Sequence, residues 1–591
     1  MSYRSGALSL SEEDLSIGGG APTGLSLHRN YNSGVTGIGP GANWTFNADG
    51  YVSIEALPLY PGDVPVTGNE PYVYNVVIGG KTIGFLGGSV YGGPNGPFAG
   101  GPVGTYQPAL PSGAQLVFNG SNPFTGNYTF TDSDGSVANF SPGPSGRITN
   151  LTMPDGTRLE YTYISGQTVK FISSNRGWAL LFESATKVCA VNLAQSYVTA
   201  GSTCPADAQS VTYGTVSSTY TSGAGMPLLT SATRGNQTTT YTYNAKDHLN
   251  CVRDPGQAVC KIQTTYTECP NDPNGLGIQY QLHLRDYVSS QQDATGKAYA
   301  FSYANGSAFP AGCPKGQQDP NEDFRAFTAS TATMTENGSA STVVTLDPSG
   351  MPSEIADPLG RKSSFGLEAV SGPWGSYILD TTIKSVARPE GNYETYAFDA
   401  RGNITGKTVK AKPGSGLADL VTGAVYPASC GNTKTCNKPT SVTDPRSNAT
   451  SYTYDATHGG VLTETAPADA NGIQAVKRYA YAQRYAWIKN ASGGFSQAAS
   501  PVWLLSEERS CRATATVGNA CAGGAADEVI VAYDYGPSTG SVGNNLLLRG
   551  KTVTAQDSDG AIRSLRTCYG YDRDGNKIWE TSPRAGLAAC Y

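Results

Sequence analysis

Histidine is almost missing from this 591-residue chain, which has only His28, His248, His283 and His458. That scarcity removes the commonest general base and zinc ligand from most of the sequence. No G-x-S-x-G elbow, H-E-x-x-H pair or G-x-x-x-x-G-K-S/T loop occurs, so three familiar catalytic and phosphate-binding signatures are excluded. Charged residues are also few, at 15% against about 25% in an average soluble domain. A net charge of −6 offers no basic face for nucleic acid. No apolar run reaches the ~18 residues of a membrane span. Met1–Leu10 lacks the apolar core of a signal peptide. The 3.6-residue helical period is absent from every long segment, and Ser11-Glu12-Glu13-Asp14-Leu15 predicts one helical turn at most.

What is abundant points to short strands and many turns. Glycine numbers 73, proline 36, and tyrosine (35) outnumbers phenylalanine (16). One pattern recurs: two aromatics at i and i+2, then Asp or Asn, then a glycine-bearing turn. Its best copies start at Tyr241-Thr242-Tyr243-Asn244, Tyr396-Ala397-Phe398-Asp399, Tyr452-Thr453-Tyr454-Asp455 and Tyr569-Gly570-Tyr571-Asp572. Weaker copies are Tyr161-Thr162-Tyr163, Phe301-Ser302-Tyr303 and Tyr533-Asp534-Tyr535. Strand side chains alternate faces, so each aromatic pair shares one face and can stack on its neighbour strand. The Asp can bond the turn backbone while Gly402 or Gly575 supplies positive φ. Each unit therefore predicts a β-hairpin, and serial hairpins predict one long antiparallel sheet. A second turn signal precedes several of these units, at Pro154-Asp155-Gly156, Asp254-Pro255-Gly256, Asp347-Pro348-Ser349-Gly350, Asp357-Pro358-Leu359-Gly360, Asp444-Pro445-Arg446 and Asp559-Gly560. Residues 1–150 lack the tyrosine pairs and predict a separate N-terminal β region, with 151–591 forming the repeat sheet. A β-propeller is the alternative fold, although it wants a steadier period of about 40–45 residues.

Twelve cysteines fall mostly into near neighbours: Cys189/Cys204, Cys251/Cys260, Cys430/Cys436 and Cys511/Cys521. Their gaps exceed the C-x2-4-C spacing of zinc sites. Disulfide-closed loops suit them better than unpaired buried thiols and imply an oxidising compartment. The carboxylate pairs Asp132/Asp134, Asp557/Asp559 and Asp572/Asp574 resemble half of a calcium loop but lack its distal glutamate, so they read as turn residues. Gly93-Pro94-Asn95-Gly96 and Gly100-Gly101-Pro102 read as surface loop. No cofactor or metal site emerges, nor an enzyme.

The repeats resemble those of the bacterial Rhs/YD-repeat family, whose relatives include teneurins and the shell components of insect-toxin complexes. The family repeat, Y-x-Y-D-x-x-G-R/N-L/I, is matched best by Tyr396–Ile404 and Tyr569–Ile578. Leu25-Ser26-Leu27-His28-Arg29-Asn30-Tyr31-Asn32-Ser33 and Gly39-Pro40-Gly41-Ala42-Asn43-Trp44 are similar to that family's N-terminal segment, as is the stretch from Asp134-Gly135 to Tyr163. The resemblance implies a sheet spiralling into a hollow shell, secreted or at the cell surface, around a C-terminal toxin. The family's D-P-x-G-L closing motif and effector do not follow Tyr569–Ile578 before Cys590-Tyr591. The cargo is thus expected outside this sequence, and the sheet is expected to be open, strongly curved and prone to self-association through its last edge. Two other readings compete: a surface adhesin binding cell-wall glycans, and a secreted hydrolase with a site in the N-terminal region. Tyr454 and Tyr571 are expected to serve the fold and no specific chemistry.

Overall fold

The computed structural model describes residues 7–590 apart from 21–22, 34–42, 57–71, 88–103, 109, 121–125, 143–145, 165–167, 219–226, 268–286, 305–330, 348–350 and 372–377. His283, Gly39–Ala42 and the glycine-rich loops at 93–96 and 100–102 lie outside the described residues. Among those described there is no α-helix, only strands and two short 3-10 turns. From Tyr51–Ala56 to Lys577–Glu580 the strands pair antiparallel, each with the next main strand, without a break. Two small hairpins, Trp487–Lys489 with Phe495–Gln497 and Thr516–Val517 with Ala520–Cys521, stand outside this ladder. No described pairing joins the last strand to the first, so the long sheet is curved and open. The unbroken pairing also rules out the separate blades of a propeller.

The turns explain why hairpins form where they do. Asp399 Oδ1 accepts the N–H groups of Arg401 and Asn403, both at 2.9 Å, and Gly402 takes φ 79° between them. Asp444 and Asp572 repeat this clamp on Arg446/Asn448 and Asp574/Asn576. Its hydrogen bonds to Asn448 hold the Asp444 carboxyl below the usual aspartate range. The ladder then slips by one residue at the second aromatic, at Tyr163, Tyr243, Phe398, Tyr454 and Tyr571. A bulge repeated at the same repeat position adds twist each time, and accumulated twist bends the sheet.

The beginning of the chain closes on itself. Tyr51 bridges Arg147, Val52 N–H reaches Gly146 O at 3.0 Å, and Ile148 N–H reaches Gly50 O at 2.9 Å. The strands from Tyr51–Ala56 to Ile148–Thr152 thus enclose Val52, Phe85, Leu116, Phe118, Tyr128 and Phe140. Residue 150 lies inside the strand Ile148–Thr152, which pairs on both sides. A three-stranded sheet, Ser9–Ile17, Leu25–Asn32 and Trp44–Phe46, covers the aromatic face of the early repeats. Ser11–Leu15, where the sequence allowed one helical turn at most, is strand. Its register slips between Glu13 and Leu15, so Asp14 and Leu15 both turn inward.

Candidate functional site

The second aromatic of the repeat does more than stack. Tyr163, Tyr243, Tyr454 and Tyr571 each donate their hydroxyl to a backbone carbonyl within two residues of the start of the preceding strand: Ile148, Leu229, Pro439 and Leu548, at 2.7–2.8 Å. Tyr266 makes the same bond to Leu249, revealing a copy hidden from the sequence pattern because Thr264 replaces the first aromatic. Phe398 has no hydroxyl to give, and in that copy Tyr396 bonds Glu394 instead. Tyr241 is fully buried, whereas Tyr396, Phe398, Tyr452, Tyr454, Tyr569 and Tyr571 are half-buried. The aromatic face is therefore covered over the early repeats and partly open over the late ones.

What covers it is a socket around Arg29. The guanidinium takes both oxygens of Asp14, with Nη2 to Oδ1 at 2.8 Å, and gives a further bond to the Tyr241 hydroxyl at 2.9 Å. Tyr213 donates to Asp14 at 2.6 Å, and the rings of Trp44, Tyr213 and Tyr241 stand 5.0–5.4 Å from the guanidinium carbon. Burial pulls the Arg29 pKa down, but the hydrogen bond and charge of Asp14 outweigh it and the net shift is upward. Trp44 Nε1 donates to Tyr243, and Tyr31 accepts the Leu249 N–H. Arg29, Tyr31 and Trp44 of the N-terminal motifs thus each dock onto repeat residues. Breaking such a buried pair costs about 3–5 kcal/mol.

The two turn signals of the sequence occupy opposite ends of the strands. Turns after the aromatic pairs, at Asp399, Asp455 and Asp572, lie at one end; those at Asp155, Asp254, Asp357, Asp444 and Asp559 lie at the other, with Asp347 an exception. One coil's second kind of turn meets the next coil's first edge. Asn437 Nδ2 donates to Ser133 O, Trp503 N–H to Asp155 O, Asn545 Nδ2 to Gly177 O and Asn192 Nδ2 to Arg573 O, all at 2.7–2.9 Å. Arg573 also pairs with Asp207 and Ser196, and Gly18 N–H reaches Asp574 O. The partners are separated by 304 residues at Asn437 and 381 at Asn192, so roughly that length makes one coil. Gly402 packs against Pro111 O, and Gly575 against Gly18 and Trp178, where a side chain would collide.

The cysteines brace this wall. Cys189 is bonded to Cys204, Cys251 to Cys260, Cys430 to Cys436 and Cys511 to Cys521. A further disulfide, Cys568–Cys590, folds the end of the described chain back over its own strand. Cys511, Cys521 and Asp527 bring three metal-ligating side chains together, but the sulphurs are joined to each other and Asp527 accepts the N–H groups of Ala513 and Thr514. Asp132 and Asp134 bond turn groups at Ser133 and Ser136, and Asp557 and Asp559 do so at Ser558 and Ala561. His28 faces Glu13 at the surface, His248 stacks on Tyr266, and His458 is buried beneath Tyr481 and Trp503. These three histidines stand at separate places in the fold.

No protein-family model matches the chain, and no curated protein does. Among solved structures it is distantly similar to the TcdB2-TccC3 complex without its hypervariable C-terminal region, at 11% identity over 95% of this chain and 26% of that one, with a TM-score of 0.29. It is likewise similar to the Tc holotoxin pore of Photorhabdus luminescens, at 11% identity over 88% and 28%, with a TM-score of 0.30. For TcdB2-TccC3-Cdc42 the figures are 12%, 80% and 27%, with a TM-score of 0.27. The chain thus spans little more than a quarter of these longer chains.

Proposed function

We propose that this chain is wall material: part of a secreted or surface shell that encloses or displays a C-terminal effector carried by a longer product. The turn-on-turn seam is the observation that carries the reading. Coil is locked to coil by backbone and side-chain bonds from Ser133 to Asp207, so the sheet forms a continuous wall. Its late aromatic face, with Tyr396, Tyr452 and Tyr569 half-buried, is left open to contents. The residues carry structural roles in this reading and turn over no substrate. Limited proteolysis of the product of the full reading frame tests it. A segment downstream of Tyr591 that resists protease while the wall is intact supports the shell. A reading frame ending at Tyr591, or a downstream segment digested as fast as when free, overturns it. The rings of Tyr197, Tyr393 and Trp579, 40–51% exposed, favour a second reading as a glycan-binding surface, which retention on a glycan array would support.

A further inference from the structure

The turn Asp455–Gly460 is one residue longer than its relative at Asp399: Tyr454 pairs with Val461, whereas Phe398 pairs with Ile404. The longer turn contains His458, whose side chain is 4% exposed. Its ring lies 4.4 Å from that of Tyr481 and 4.8 Å from that of Trp503. Nδ1 accepts the Gly460 N–H at 3.1 Å, which puts the proton of the neutral ring on Nε2, facing Asp455 Oδ1 at 3.5 Å. Charged neighbours face it from every side: Asp455 in its own turn, Lys434 and Lys438 from the preceding loop, and Asp155 from the earlier coil. The lysines donate to Thr457 O and Gly459 O, so both ammonium groups are held against the histidine turn. The Tyr481 phenol is raised by burial and stays neutral. Trp503, which covers the imidazole, is also the residue whose N–H reaches across the seam to Asp155 O at 2.7 Å.

We propose that His458 is an acid-sensitive latch of the seam, whose protonation releases the contact between Trp503 and Asp155. A second proton can enter only at Nδ1, where it would oppose the Gly460 N–H donor. It would also place a third cation between Lys434 and Lys438, inside a pocket roofed by Trp503. Burial already holds the imidazole below its ordinary pKa, and the charge of Asp455 only partly offsets this. A histidine depressed in the folded state contributes stability that is complete above the unfolded value of about 6.5 and is lost as pH falls through the folded one. Asp455 is itself held low, although burial opposes the hydrogen bonds from Thr457 and His458 N–H, so it stays ionised across this window.

Amide hydrogen exchange of the whole chain from pH 7.5 to 5 tests the latch, comparing wild type with His458→Gln. The expected result is a fall in the Trp503 amide protection factor below about pH 6.5, by at most tenfold per pH unit, the limit for one proton. The variant should show a flat profile. The same fall in both proteins, or no fall in wild type, would overturn the proposal. Should the variant fail to fold, the imidazole of wild-type His458 can be titrated by NMR. A midpoint coinciding with the loss of Trp503 protection supports the latch, and one that does not overturns it.

Discussion

At the scale of single residues, the repeat tyrosine and a half-buried aspartate make opposite kinds of contribution. Tyr454 stacks its ring in a half-open face and spends its hydroxyl on Pro439 O. Tyr454→Phe should cost about 1 kcal/mol, the net worth of one hydrogen bond. Tyr454→Ala should cost nearer 3 kcal/mol, the low end for a truncated aromatic, because the ring is only partly buried. Urea denaturation measures both. Asp49 behaves otherwise: burial pushes its carboxyl up to about 6, against the Phe46 N–H bond and the charge of Arg147. A raised folded pKa means that the contribution of Asp49 is complete below its unfolded value of 3.8 and is lost as pH rises through about 6. Asp49→Asn should therefore gain stability over wild type as pH rises from about 4 to about 7, by up to about 3 kcal/mol. Denaturation midpoints that stay parallel across that range would contradict this account.

At the scale of elements, the turns were legible and their destinations were not. An Asp, a glycine and two aromatics within nine residues predict a hairpin because every interaction they use is local, as at Asp399–Ile404 and Asp572–Ile578. Arg29, by contrast, stands in a recognisable motif, yet its partner Tyr241 is 212 residues away and no local rule reports that distance. The tyrosine hydroxyl bonds escaped for a smaller reason: the acceptors are backbone carbonyls, which carry no sequence signature. Cys568–Cys590 escaped because its partners are 22 residues apart and lack the close spacing that marked the other pairs. The strand at Ser11–Leu15 was not legible because the Asp14 bulge breaks the alternation that identifies a strand. Position in the wall should separate two otherwise similar glycines. Gly472, at φ 76° with nothing nearby, should lose about 1 kcal/mol on change to Ala, from backbone strain alone. Gly402, at φ 79° against Pro111 O, should lose distinctly more and loosen the seam as well. Chemical denaturation of the two variants checks the order. Non-reducing peptide mapping should recover Cys430–Cys436, Cys511–Cys521 and Cys568–Cys590 as linked peptides, and free thiols at these positions would remove the argument for an oxidising compartment.

At the scale of the whole molecule, the two ends of the sheet are unequal. The first edge is closed through Tyr51 and Arg147, while Lys577–Glu580 is exposed along its length, with Ile578 61% and Trp579 48% accessible. A free edge is a template for another strand. The chain should associate as its concentration rises, and Ile578→Lys should weaken that association; light scattering across a concentration series measures both. The bond from Gly18 to Asp574 has a further consequence, in time instead of space. At roughly 5–20 residues per second, Asp574 leaves the ribosome about half a minute to two minutes after Gly18. For that interval the Gly18 N–H lacks its seam partner, and the N-terminal sheet rests on the earlier contacts of Arg29, Tyr31 and Trp44 with the repeats. Chain order thus becomes an assembly order, in which the hairpin at Asp572–Ile578 arrives long after the turn at Gly18 that it fastens.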